Sequence, residues 1–268
     1  MWLLAVLFGL LVGVSLGLTG GGGSIFAVPL LVYGLALAPR DAVGVSLAAV
    51  GATALVGAIE RLRANQGEIP TGLIFAAAGV FGAPLGSWLA GLMPEALLLG
   101  LFGALMFIVA ARMWRSAQKP EVPACDLADA DGPTCRRDAA GKLVVTSRCT
   151  ILLCLVGLVT GVLSGLFGVG GGFVIVPALV IFSGMKIHRA VATSLLVIAL
   201  ISVSGVSSHL LAGRDIPLVI TTLFVVGGIA GLYLGNITGR RFSGPALQRI
   251  FAAAIVVVAT FVLVQTFV

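Results

Sequence analysis

Apolar residues along this chain gather into ten stretches separated by short polar links. They run roughly over 2–18, 24–38, 42–59, 71–91, 96–111, 150–166, 173–184, 190–211, 217–237 and 250–267. A helix that crosses a bilayer needs about 20 apolar residues, and most of the stretches come close. The second and seventh do not: at 1.5 Å per residue they reach only about 18–22 Å, against a hydrocarbon core of about 30 Å. The pattern predicts an all-α polytopic membrane protein in which two segments are too short to cross alone.

The chain repeats itself. Residues 13–30 read GVSLGLTGGGGSIFAVPL and residues 161–178 read GVLSGLFGVGGGFVIVPA, with half of the aligned positions identical at an offset of 148. The same register pairs Ala42-Val43 with Ala190-Val191 and Ser46-Leu47 with Ser194-Leu195. Gly79, Gly82 and Gly86 meet Gly228, Gly231 and Gly235 one residue out of step. Each unit therefore holds five stretches, giving a first transmembrane repeat over 1–115, a linker over 116–148 and a second repeat over 149–268. Five is odd, so the two units are expected upside down relative to each other. Charge agrees with that drawing. If each stretch changes sides, one face receives all of the 16 lysines and arginines except Arg40 and Arg214. The positive-inside rule makes that face cytoplasmic, places both termini outside and puts the 116–148 loop in the cytoplasm of a bacterial inner-membrane protein. Stretches one and two, and six and seven, can equally be drawn as re-entrant hairpins turning at their glycines. Charge counting does not separate the drawings, but the shortness of stretches two and seven favours the hairpins.

Composition points the same way. Hydrophobic residues make up 59% of the 268 and charged residues only 10%, where a soluble domain carries about a quarter. Lipid must be the solvent. The net charge of +6 is scattered over short loops with no basic face and no aromatic interleaving, which argues against nucleic acid as a partner. The opening MWLLAVLFGLLVG has the apolar core of a signal peptide but neither a basic leader nor a small-x-small cleavage site, and is read as mature structure. No CxxC pair exists among the four cysteines, so no zinc site is expected, and cytoplasmic thiols are expected to stay reduced. No cofactor is implied.

Among the 37 glycines, the runs GLTGGGGS (17–24) and GLFGVGGG (165–172) matter most. Each glycine costs a helix about 1 kcal/mol relative to alanine, so such a run breaks one helix and starts another. A new start carries unpaired N–H groups and partial positive charge, which suits an anion. Two inverted breaks would aim two helix starts at one point, an arrangement found in secondary transporters. The candidate substrate-binding set is therefore Thr19, Gly20, Gly21, Gly22, Gly23 and Ser24 at the first break. Gly168, Gly170, Gly171 and Gly172 supply the second, with Ser46, Thr193 and Ser194 at the starts of the stretches that follow. Hydroxyls hydrogen-bond oxyanions without the cost of burying a charge, although any of them can instead bond the carbonyl four residues back. The remaining glycines are read as helix packing: Gly157, Gly161, Gly165 and Gly227, Gly231, Gly235 have small-xxx-small spacing. Arg61 and His209 occupy equivalent positions in the two repeats and are weak candidates for the two vestibules, with a solvated interfacial residue the plainer reading. Arg40 and Arg214 each neighbour an acid, Asp41 and Asp215, so ion pairs are the default there. No carboxylate lies deep in an apolar stretch, so an intramembrane proton relay is unsupported.

These motifs resemble the TauE/SafE sulfite exporter family. The resemblance rests on the doubled G-x-x-G-x-G-G breaks, the prolines that follow, the run Ala190-Val191-Ala192-Thr193-Ser194-Leu195 and the later G-x-x-x-G helices. It spans nearly the whole chain except the linker. The first repeat departs from the Thr-Ser-Leu pattern, carrying Val45 where the second has Thr193. The resemblance implies movement of a small sulfur-containing anion: sulfite, an organosulfonate or thiosulfate. A passive anion channel is the first alternative. A membrane-embedded sulfur transferase using Cys149 or Cys154 is the second, disfavoured because no His, Asp or Glu is placed to activate a thiol. The expected partners are that anion and the lipid bilayer; self-association into a homo-oligomer is left open.

Overall fold

The computed structural model describes residues 2–64, 66–118, 147–183, 185, 187–214, 216–239 and 244–267. Most of the expected 116–148 linker, with Cys125 and Cys135, lies outside them, as do Asp215, Arg240 and Arg241. Every regular element among the described residues is helical. The helices are α1 (Trp2–Thr19), α2 (Gly22–Gly34), α3 (Pro39–Arg63), α4 (Ile69–Leu92) and α5 (Glu95–Gln118). They continue with α6 (Ser147–Phe167), α7 (Gly172–Ser183), α8 (Ile187–Leu211), α9 (Leu218–Gly239) and α10 (Gly244–Phe267). Each falls on one of the ten apolar stretches. Seven of them (α1, α3, α4, α5, α6, α8 and α9) are long and apolar enough to cross a membrane.

The ends of α3 show why the boundaries fall where they do. Pro39 opens the helix after an extended Ala38, Asp41 sits in the first turn, and Arg61 and Arg63 close the last. Proline at the start has no N–H to waste, and the charges oppose the helix dipole at both ends. At α4, Glu68 is the N-cap residue and Pro70 lies in the first turn.

Two central helices, α3 and α8, pack against each other and are the most buried of the seven spans. Around them the partners cross over: α1 lies on α9, α6 on α4, and α5 on α10. The α1–α9 seam is parallel. Gly227, Gly231 and Gly235 press against the carbonyls of Val6, Leu10 and Val14, while Gly13 and Gly17 press against those of Gly228 and Leu232. The α4–α6 seam repeats the arrangement, with Gly157, Gly161 and Gly165 against Phe75, Gly79 and Ala83. A Cβ at any of these glycines would collide with backbone. In lipid, where burial of apolar surface gives helices little reason to associate, such close approach supplies the packing. The outer surface is apolar, as Phe81, Trp88, Leu211 and Leu218 show by their exposure.

After each glycine run the chain doubles back. Gly23 lies beside Ser15 and Gly34 beside Phe8, so α2 retraces α1. In the other half Gly171 lies beside Thr160 of α6. Both glycine runs are therefore real breaks. The two short helices differ, however. α7 is a regular α-helix through Pro177, whereas α2 winds as a 3₁₀ turn (Gly22–Phe26), a single α turn (Ala27–Pro29) and a π segment (Leu30–Gly34).

Candidate functional site

The two runs meet. A Cβ on Gly21 would stand 2.6 Å from the Cα of Gly172, and one on Gly172 would stand 2.5 Å from the Cα of Gly21. Backbone touches backbone where α2 and α7 begin, between the central helices. Gly20 packs on Val191 of α8 and Gly168 on Val43 of α3. Those valines are aligned in the two repeats, as are the glycines. The turns use backbone that only glycine adopts cheaply: φ is +73° at Gly20, +71° at Gly168 and +67° at Gly170.

The paired serines bind across the halves. Ser46 Oγ donates to the Gly168 carbonyl at 2.6 Å. Ser194 Oγ donates to the Gly20 carbonyl, also at 2.6 Å, and shares that proton with the Val191 carbonyl at 2.8 Å. Each central helix thus holds the break that belongs to the other half. Both serines are fully buried, and each has one O–H to give; in this arrangement it is given to the protein.

The other hydroxyls are local. Thr19 Oγ1 donates to Ser15 O one turn back at 2.7 Å, and Ser24 Oγ donates to Gly21 O at 2.7 Å, closing its own turn. Thr193 turns away from the glycines. Its Oγ1 accepts the Glu68 N–H at 3.0 Å, capping α4. Gly22, Gly23 and Gly171 complete the runs: Gly23 packs on Ser15, and a Cβ on Gly171 would stand 3.0 Å from the Thr160 carbonyl. The site set therefore converges on one junction, except for Thr193.

The vestibule pair separates. Arg61 is half-buried, donating from Nη2 to Gly17 O at 3.0 Å and to Asn236 Oδ1 at 2.7 Å, which ties the ends of α1, α3 and α9. Asn236 carries no sequence signal beyond being polar in an apolar helix. His209 is fully buried rather than solvated, packed on Gly44 of α3. Arg40 does not take the expected ion pair with Asp41; its Nη2 donates to Met93 O at 3.1 Å, joining the start of α3 to the end of α4. Cys149 is buried and disulfide-bonded, where cytoplasmic thiols were expected to stay reduced. That leaves Cys154, half-buried, as the free thiol among the described cysteines.

Among the described residues, ten helices around a backbone-to-backbone junction, with an apolar exterior, define a multi-pass membrane protein. Residues 5–262 match the sulfite exporter TauE/SafE model, and the chain belongs to that family of membrane transporters. It is 36% identical over 259 residues to a "probable membrane transporter protein" of Xylella fastidiosa (strain 9a5c), covering 94% of this chain and 91% of that one. YdhB of Bacillus subtilis, described in the same words, is 30% identical over 237 residues, with 87% and 88% covered. MJ0441 of Methanocaldococcus jannaschii, again a probable membrane transporter, is 29% identical over 221 residues, with 79% and 73% covered. No solved structure matches the chain.

Proposed function

We propose that this transporter carries a small sulfur-containing anion, namely sulfite, an organosulfonate or thiosulfate, across a bacterial inner membrane. The anion binds at the junction of the two glycine breaks. The observation that carries this reading is the contact of Gly21 with Gly172. It brings the starts of two short helices together in the bilayer, where unpaired N–H groups and the positive end of α7 favour an anion.

Two inverted halves suit a carrier. The crossed pairing of α1 with α9 and α4 with α6, and the reciprocal serine bonds, are what a two-fold axis in the membrane plane would produce. We read α1–α2 and α6–α7 as re-entrant pairs, with both chain ends outside. Rocking one half against the other would then open the junction to either side in turn. The test is flux into proteoliposomes across a panel of sulfite, sulfate, thiosulfate and methanesulfonate. Saturable uptake that is accelerated by the same anion on the far side is the expected result. Linear, non-saturable flux would mean a channel, and no flux of any of these anions would end the reading.

A further inference from the structure

Buried hydroxyls in these helices generally have partners, so the exceptions carry information. Thr19, Thr53 and Thr160 donate to a carbonyl about one turn back, the usual outcome for a hydroxyl in an apolar helix. Among the described residues, buried side-chain nitrogen or oxygen without a hydrogen-bond partner occurs at Ser15, Arg40, Ser164, Ser202 and His209. Arg40 and His209 lie near the start of α3, His209 against Gly44. Ser15 and Ser202 border the glycine junction, and Ser164 lies on α6 one turn ahead of the second break.

Ser15 Oγ faces Gly23, so closely that no side chain fits between them. Ser202 packs on Gly51, and its Oγ lies 4.0 Å from where a Cβ on Gly170 would stand. Ser164 is one turn ahead of the second break, and its carbonyl accepts the Gly168 N–H at 2.8 Å. Their exposures are 4%, 0% and 2% for Ser15, Ser164 and Ser202. Native proteins seldom leave buried polar groups unpaired, and each exception calls for an explanation, a bound ion among them.

We propose that Ser15, Ser164 and Ser202 are the hydrogen-bond donors that hold the oxygens of the transported anion. This rests on the anion-carrier reading and departs from the sequence-based expectation in one respect. Ser46 and Ser194 have spent their protons on Gly168 and Gly20, which makes them positioning residues that hold the breaks. Ser15, Ser164 and Ser202 have theirs free. Three O–H donors match the three oxygens of a sulfite or sulfonate head. The atoms nearest a Cβ on Gly20, Gly21, Gly22, Gly23, Gly168, Gly170, Gly171 or Gly172 belong to no charged side chain. Desolvating a second negative charge costs more, so among the proposed anions the singly charged ones, an organosulfonate or hydrogensulfite, should be taken in preference to thiosulfate, and methanesulfonate in preference to sulfate.

Serine-to-alanine variants separate this role from a structural one. The full-length protein, wild type and with Ser15→Ala, Ser164→Ala or Ser202→Ala, is reconstituted in liposomes. Uptake of sulfite and methanesulfonate is measured as a function of concentration. Each variant is expected to raise the half-saturation concentration about tenfold or more, as loss of a hydrogen bond to a charged group does. In detergent without anion, the same variants should melt at the wild-type temperature or above, because the hydroxyl removed had no partner. Serine-to-cysteine variants, with a weaker donor of similar size, should fall between. Variants that melt lower while half-saturation stays at the wild-type value would overturn the donor assignment, as would unchanged half-saturation in all three. Wild-type vesicles that move none of sulfite, thiosulfate, methanesulfonate or sulfate would instead overturn the carrier reading beneath it.

Discussion

The two glycine breaks align residue for residue, yet the fold does not constrain them alike. Gly170 has φ of +67°, and a Cβ there would come within 3.0 Å of Ile198 on α8. Its counterpart Gly22 keeps a backbone outside the left-handed region, and the nearest obstacle to a Cβ is Thr19 of its own turn at 3.2 Å. Beyond the breaks, α7 is regular while α2 changes winding twice and ends beyond Gly34 with Ala36 at φ +54°. The second repeat carries Gly184 at the position aligned with Ala36. Equivalent letters in a duplicated chain therefore record a common origin, while the neighbours decide which copy is needed.

Substitutions can sharpen that contrast, and the contact between the runs should respond most. Gly21→Ala forces a Cβ against the Gly172 backbone at a positive φ of +153°. Backbone cannot yield as a flexible side chain does, so a loss of about 3 kcal/mol or more is expected. The check is a collapse of monodisperse protein in detergent together with loss of flux. Next, Gly170→Ala should cost about 1–2 kcal/mol from the left-handed backbone, and more from crowding on Ile198. Gly22→Ala should cost less than Gly170→Ala, because its backbone lies outside the left-handed region and the close neighbour is the Thr19 side chain of its own turn. Equal melting temperatures for these two variants would refute the asymmetry.

A symmetric effect is expected where the structure is symmetric. Ser46→Ala and Ser194→Ala each remove one hydroxyl-to-carbonyl bond between the halves, worth about 0.5–1.5 kcal/mol. Their melting temperatures should fall by similar amounts. A large fall for one alone would show that the two cross-links are not equivalent. Smallest is Ala36→Gly. Relief of the left-handed strain outweighs the added freedom of the unfolded chain, so the variant should gain about 0.5–1 kcal/mol, read as a slightly raised melting temperature.

Much of the architecture was legible beforehand. Among the described residues, each of the ten apolar stretches became a helix, because in lipid a helix satisfies its own backbone, leaving hydrophobic length as a direct signal. The small-xxx-small series at Gly157 and Gly227 marked the seams, since close approach of two backbones has few other solutions. Site chemistry was less legible. Ser46 and Ser194 were singled out because both repeats carry them, but repetition marks a shared contact as readily as a ligand contact. Thr193 stood next to Ser194 in sequence and proved to face α4, since adjacent residues on a helix point about 100° apart. Ser15, Ser164 and Ser202 gave no signal, because a serine in an apolar helix commonly bonds a carbonyl one turn back.

The sequence by itself determined where the chain is helical, where it breaks and that it repeats, because hydrophobic length and glycine runs act locally on the backbone. Only the tertiary structure decided that Gly21 meets Gly172, that each half's serine holds the other half's break, and which hydroxyls keep a proton to offer. Those outcomes depend on residues more than a hundred positions apart being pressed together, and no local pattern encodes which lone pair a given O–H will find.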